Sequence, residues 1–123
     1  MIMIAGPYRS GTGDDPQLIA ANLQAMNEAA LQLFRAGHIP VLGEWFALPL
    51  VETAGSRQLG DAIFNEIFHP IAHLLVPHCD GCWRIEGASQ GADEMVRLAK
   101  SLGQSVFYRL EDIPPVQKSE TAA

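Results

Sequence analysis

Gly87-Ala88-Ser89-Gln90-Gly91 sets a serine between two glycines, the G-x-S-x-G pattern of a hydrolase nucleophile elbow. Chain order argues against that chemistry. An α/β-hydrolase needs its histidine after the serine, whereas His38, His69, His73 and His78 all precede Ser89. The same residues suit an anion site better, because Ser89 and the N–H groups of Gln90, Gly91 and Ala92 would open a helix. The plainer alternative is that Ser89 only caps that helix. Arg9, in Gly6-Pro7-Tyr8-Arg9, offers a guanidinium that can fork onto a phosphate or carboxylate, or simply sit solvated in a loop. Tyr8 reads either as a ligand contact or as a packed ring with a surface hydroxyl. The carboxylates available nearby are Glu44, Glu86, Asp93 and Glu94, with Asp14 and Asp15 in the first loop. Asp93 and Glu94 would also compensate the dipole of a helix first turn.

Other chemistries are weaker. Gly11-Thr12-Gly13 lacks the following G-K-[ST] of a P-loop and is no dinucleotide fingerprint. Cys79-Asp80-Gly81-Cys82 is a C-x-x-C ahead of a strand, whereas a redox pair sits where a strand enters a helix. His69 and His73 stand one helical turn apart, with His78 beyond, but Pro70 between them disturbs a zinc geometry. Buried cysteines and surface histidines are the expectation, with no metal and no cofactor.

These residues need a scaffold, and the apolar pattern supplies one. Met1 to Ala5 is an apolar run stopped by Gly6-Pro7, a strand buried on both faces. Gly6 to Asp15 is a loop. Asp15 as N-cap and Pro16 at the first helical position open a helix. Ile19, Leu23, Met26, Ala30 and Phe34 form its apolar face, and Gly37 closes it. Ile39 to Leu42 is a second strand. Gly43 to Gly60 is hard to read, with an irregular helical turn at Trp45 to Val51. Asp61 to His69 is a helix broken or kinked at Pro70, followed by a short turn over Ile71 to Val76. Asp80 to Ile85 is a third strand, Gly91 to Leu102 a third clear helix, and Ser105 to Tyr108 a fourth strand. Trp45, Phe46 and Trp83 are aromatic enough to stack on a base, though Trp83 falls within a strand and reads as core.

Strands alternating with helices predict parallel β-α-β units, hence an α/β three-layer sandwich around a mainly parallel sheet of four to five strands. Ligands bind such sheets beyond the carboxyl ends of the strands. Both glycine-rich segments, Gly6 to Gly13 and Gly87 to Gly91, follow strands. One domain over 1–113 is expected, with a frayed tail over 114–123.

Of the 123 residues, 48% are hydrophobic and 18% charged, which fits a globular core. A net charge of −6 disfavours a nucleic-acid polymer or an anionic membrane as partner. No apolar run reaches the roughly 18 residues of a membrane span. No basic stretch precedes an apolar segment at the start, and only two cysteines occur, so a cytoplasmic setting is expected.

Three segments together, I-A-G-P-Y-R, A-G-H-I-P-V and C-D-G-C-W-R-I-E-G-A-S-Q-G-A-D with its following helix and G-Q-S-V-F, resemble the nucleoside 2-deoxyribosyltransferase-like superfamily, nearest its small bacterial branch. The resemblance spans Met1 to about Ile113. It implies a flavodoxin-like or Rossmann-like fold, a homo-oligomer, and a nucleoside or nucleotide as small-molecule partner. It also implies N-glycosidase or deoxyribosyltransferase chemistry, in which a glutamate attacks C1′ and the base leaves from a deoxyribosyl ester.

On this resemblance Tyr8 positions the nucleophile, while Gly6, Pro7, Arg9, Ser89, Gly91 and Asp93 contact the ligand. The family pattern G-[AT]-x-x-E-x-x-x-A is met by Gly91, Ala92 and Ala99 but has Met95 at the glutamate. Glu94 stands one residue early, about 100° around a helix. Glu94 is the first candidate nucleophile and Glu86, at the strand end, the second. With neither active, the cleft would be a non-catalytic nucleotide sensor. Trp45 and Phe46 are candidates to complete a neighbouring subunit's site.

Overall fold

The computed structural model describes residues 1–116. Its elements run β1 (Ile2–Ala5), α1 (Pro16–Arg35), β2 (Pro40–Leu42), α2 (Gly43–Thr53), α3 (Ala62–Leu75), β3 (Gly81–Arg84), α4 (Gln90–Ser101) and β4 (Ser105–Phe107). The four strands form one all-parallel sheet in the order β2-β1-β3-β4, with helices on both faces, a flavodoxin-like three-layer α/β fold.

Period-two alternation sorts the core. Ile4 pairs in register with Leu42 and Trp83, and all three pack towards α1 with Met26, Ala30 and Leu33. Met3 pairs with Val41 and Cys82, and these pack the other way, against Ala72 of α3 and Val96 and Ala99 of α4. Trp83 is therefore core, as its strand position implied.

Both expected caps form. Asp15 accepts the N–H of Gln17 at 2.9 Å, and Ser89 accepts the N–H of Ala92 at 3.1 Å. One residue of the predicted α1 face is displaced: Phe34 is exposed and Leu33 fully buried instead. From Met26, Leu33 returns to within about 20° of the same face, whereas Phe34 lies about 80° off it.

The larger correction concerns the segment from Gly43 to Leu75. It forms two regular helices, α2 and α3, that pack together through Ala47, Val51, Phe64 and Phe68. Pro49 and Pro70 lie inside them without ending them. Both prolines lie on exposed helix faces, where water can take the hydrogen bond that each removes. Pro70→Ala restores that hydrogen bond and is expected to raise stability by about 1 kcal/mol, read as a later urea midpoint.

Residues 114–116 of the expected tail lie against the α1–β2 turn. Val116 donates to the Ala36 carbonyl at 2.8 Å, and the Pro114 carbonyl meets His38 Nε2 at 2.7 Å. The remainder of that tail, 117–123, lies outside the described residues. No described helix is long and apolar enough to cross a membrane.

Candidate functional site

The crossover from β1 leads to β2 on one side, while β3 lies on the other, so the loops leaving β1 and β3 diverge. At this switch point a crevice opens beyond the strand ends. It forms a cleft of about 440 Å³. One wall is the loop Tyr8–Gly11, the opposite wall the start of α4 from Ser89 to Ala92, and α2 and α3 close it through Glu44, Phe68 and His69.

The first wall is held by its own contacts. The Tyr8 ring tilts against Phe68 at 5.2 Å, and the Tyr8 carbonyl accepts from Asn22 Nδ2 at 2.9 Å. Burial, and then the negative charge of Glu44, push the Tyr8 phenol above its ordinary range. Arg9 forks onto Asp14, with Nε to Oδ1 at 3.0 Å and Nη2 to Oδ2 at 3.1 Å, and its guanidinium lies 5.4 Å from the Phe64 ring centroid. Asp14 adopts a left-handed φ of 61° to meet it, a conformation that Asp tolerates better than most residues. Gly60 allows this arrangement, since a Cβ there would lie 3.0 Å from both terminal nitrogens of Arg9.

Across the cleft, the Ser89 hydroxyl is engaged as the α4 cap, and no hydrogen bond joins it to a histidine among the described residues. Nothing in this geometry activates it as a nucleophile. His69 packs on the first turn of α4 so closely that a Cβ at Gly91 would lie 2.7 Å from its Cε1. Burial holds His69 below the ordinary imidazole range. Ser89→Ala removes the cap and is expected to cost about 1 kcal/mol by urea unfolding.

Of the residues expected from sequence, Gly6, Tyr8, Arg9, Ser89 and Gly91 line the cleft. Pro7, Asp93, Glu94 and Glu86 do not. Pro7 packs beneath Gly87, where a Cβ would lie 2.7 Å from its Cγ. Asp93 is held by Arg84 Nε at 3.1 Å. The Glu94 side chain is 47% exposed, its carboxylate 3.7 Å from His73 Nε2. Glu86 borders a separate shallow hollow with Trp83 and Tyr108. Met95 lines the cleft, so the position at which the resembled pattern carries glutamate is inside it but apolar.

The acid that does reach the cleft is Glu44, in the first turn of α2. It is 6% exposed, and its Oε2 has no hydrogen-bond partner. Desolvation raises its carboxyl to about 7, opposed only in part by a hydrogen bond from its own backbone N–H. A carboxyl perturbed this way inside a cleft is suited to proton transfer, to nucleophilic attack once ionised, or to ligand hydrogen bonding. Sequence reasoning names Glu44 only as one of four nearby carboxylates and His69 only as a weak zinc candidate, and gives neither a role in the cleft. One signal was present for Glu44: it is the only charge in the apolar run Ile39 to Val51.

The cysteines are free and buried, and burial pushes the Cys82 thiol up to about 12, which makes it inert. Among the described residues no group of three or more His, Cys, Asp or Glu is placed to hold a metal ion. Comparison with protein-family models and with curated proteins returned no match for the chain.

Proposed function

We propose that the cleft binds a nucleoside, a nucleotide or a related ribosylated small molecule. The observation that carries this reading is the meeting, in one cleft of about 440 Å³, of the α4 N-terminus, the Tyr8–Arg9 loop and the buried acid Glu44. The volume suits a small-molecule ligand. The N–H groups of the α4 first turn, which have no intrahelical partner, favour a phosphate or a sugar oxygen, and the Tyr8–Phe68 pair offers an aromatic surface. In this form the domain is a nucleotide sensor or binding module.

A second reading, cleavage or transfer at the N-glycosidic bond, is favoured by Glu44 itself. With its carboxyl near 7, part of the population is ionised at neutral pH. The carboxylate would attack C1′ as the base leaves, and the resulting ester would pass its sugar to another base or to water. On this reading Glu44 takes the part that the sequence suggested for Glu94 or Glu86. A homo-oligomer would set the exposed Trp45 and Phe46 of α2 against a second copy. The free thiols suit a cytoplasmic setting.

Incubation with deoxynucleosides and their 5′-monophosphates separates the two readings, with released base followed by chromatography. Base release that Glu44→Gln abolishes, while Glu94→Gln and Glu86→Gln retain it, establishes the enzyme. A nucleotide-induced rise in melting temperature without base release establishes the binding module. If neither occurs, the nucleotide reading fails.

A further inference from the structure

One residue that lines this cleft carries a group that the protein leaves unsatisfied. Glu44 is more than nine-tenths buried, lines the cleft, and has an oxygen without a partner. No cation is paired with it among the described residues. The groups facing the same space are Tyr8 and Arg9 from the loop after β1, His69 from α3, and Ser89 with the neighbouring backbone at the start of α4. Burial raises the Tyr8 phenol and lowers the His69 imidazole, so it disfavours the charged form of each. Arg9 is the one charged side chain among them, and it directs two N–H groups to Asp14.

A buried carboxyl without a cation is cheapest as the neutral acid. In that state it presents an O–H donor beside a C=O acceptor; ionised, it presents acceptors alone. The two states therefore read different molecular edges. A neutral acid closes a two-bond ring with a ring nitrogen acceptor flanked by an amino donor. A carboxylate closes the same ring only with two donors side by side. Adenine and cytosine carry only the first kind of acceptor–donor edge; guanine meets a neutral acid through its keto oxygen and ring N–H, and a carboxylate through its ring N–H and amino group. In the unliganded fold the unpartnered oxygen is closed off from solvent, so reading a base requires the carboxyl to turn about its last side-chain torsion, which is broad and soft, and bring both oxygens to the cleft.

Resting on the nucleotide-binding reading, we propose that Glu44 is the base-reading residue of the cleft, taking adenine or cytosine only as the neutral acid and guanine in either state. Base choice then follows pH. Adenine and cytosine ligands bind the protonated form, so their affinity falls about tenfold per pH unit once Glu44 has ionised. A guanine ligand keeps or gains affinity over the same range. The substrate class is thus a nucleoside or nucleotide whose base offers its hydrogen-bonding edge to the α2 side of the cleft, with its sugar or phosphate towards α4.

Titration calorimetry with deoxyadenosine, deoxycytidine and deoxyguanosine 5′-monophosphates, from about pH 6 to about pH 8.5, tests this. The expected result is a loss of adenine and cytosine affinity of at least tenfold across the range, with guanine affinity held or increased. Glu44→Gln keeps a donor beside an acceptor at every pH, so it should bind adenine and cytosine ligands with a flat profile. Glu28→Gln, an exposed change on α1, should leave the wild-type profile intact. If wild-type adenine and cytosine affinities do not change with pH, or Glu44→Gln keeps the wild-type slope, the base-reading role is overturned and nucleotide binding stands. If no nucleotide binds at any pH, the binding reading itself is overturned. The wild-type profile decides the matter even where the variant folds poorly.

Discussion

Glu44→Gln raises the melting temperature relative to wild type by about 10 °C more at pH 8 than at pH 5. The cause is the unequal proton affinity of the folded and unfolded chains. Glu44 takes up its proton at about 7 in the fold, against an ordinary value of 4.5 when solvated. Between those values the folded protein still holds the proton that the unfolded chain has released. Stability therefore falls as pH rises through that window and levels off above it. Each unit of difference corresponds to about 1.4 kcal/mol, so the loss between pH 5 and pH 8 is about 2–3 kcal/mol. Glutamine carries no charge and escapes the loss. Its amide leaves a buried N–H unpaired at a cost of about 1 kcal/mol, but that cost is the same at every pH. The informative quantity is thus the change in the gap between the two proteins, measured by calorimetric melting across pH. A gap that does not widen with pH shows that Glu44 ionises in the fold without penalty. It would also remove the physical basis for base reading by a neutral acid.

How much of this site could be read in advance follows from how each element is signalled. β1, α1, β3 and α4 announce themselves by apolar runs bounded by caps and glycines, and Asp15, Ser89, Gly37 and Gly103 act as those stops. That was enough to set Tyr8 and Arg9 beside Ser89 and Gly91, because strand ends fix where loops emerge. The α2–α3 hairpin stayed hidden. Pro70 reads as a break because the usual cost of proline assumes that the orphaned carbonyl has nowhere to turn. On an exposed helix face water can take the hydrogen bond that it loses. The hairpin carries Glu44, Phe68 and His69, so missing it meant missing half of the cleft. The misplacement of the acid has the same origin. A family pattern led to α4, where Met95 occupies the position in question and Glu94 faces His73 outside the cleft. The acid arrives instead from the other side of the sheet order, at the end of β2. A lone charge inside an apolar run was its only mark, and periodicity gives no reason to favour such a residue over a solvated one.

Because the hairpin supplies half of the cleft, its core should control both stability and binding. Phe64→Ala is expected to cost about 3–5 kcal/mol. Phe64 is 2% exposed, stacks on Phe68 with centroids 4.6 Å apart, and lies under the Arg9 guanidinium. Its removal leaves a cavity that backbone shifts fill only in part, since α3 is anchored beside it by Asp61, which accepts the Phe64 N–H at 2.8 Å. Small domains have about 5–15 kcal/mol in all, so the loss is a large share. In urea it appears as a midpoint lower by about 2 M. Phe68 loses its stacking partner and Tyr8 then loses the ring it tilts against, while Arg9 keeps Asp14 but not the aromatic face. The cleft should therefore lose any nucleotide-induced thermal shift even under conditions where the variant is fully folded. Phe64→Leu refills most of the volume without the flat ring, so it should recover most of the stability and less of the ligand shift. A loss under 1 kcal/mol for Phe64→Ala would mean that α2 and α3 are held to the sheet by other contacts. The floor of the cleft would then not depend on the Phe64–Phe68–Tyr8 stack.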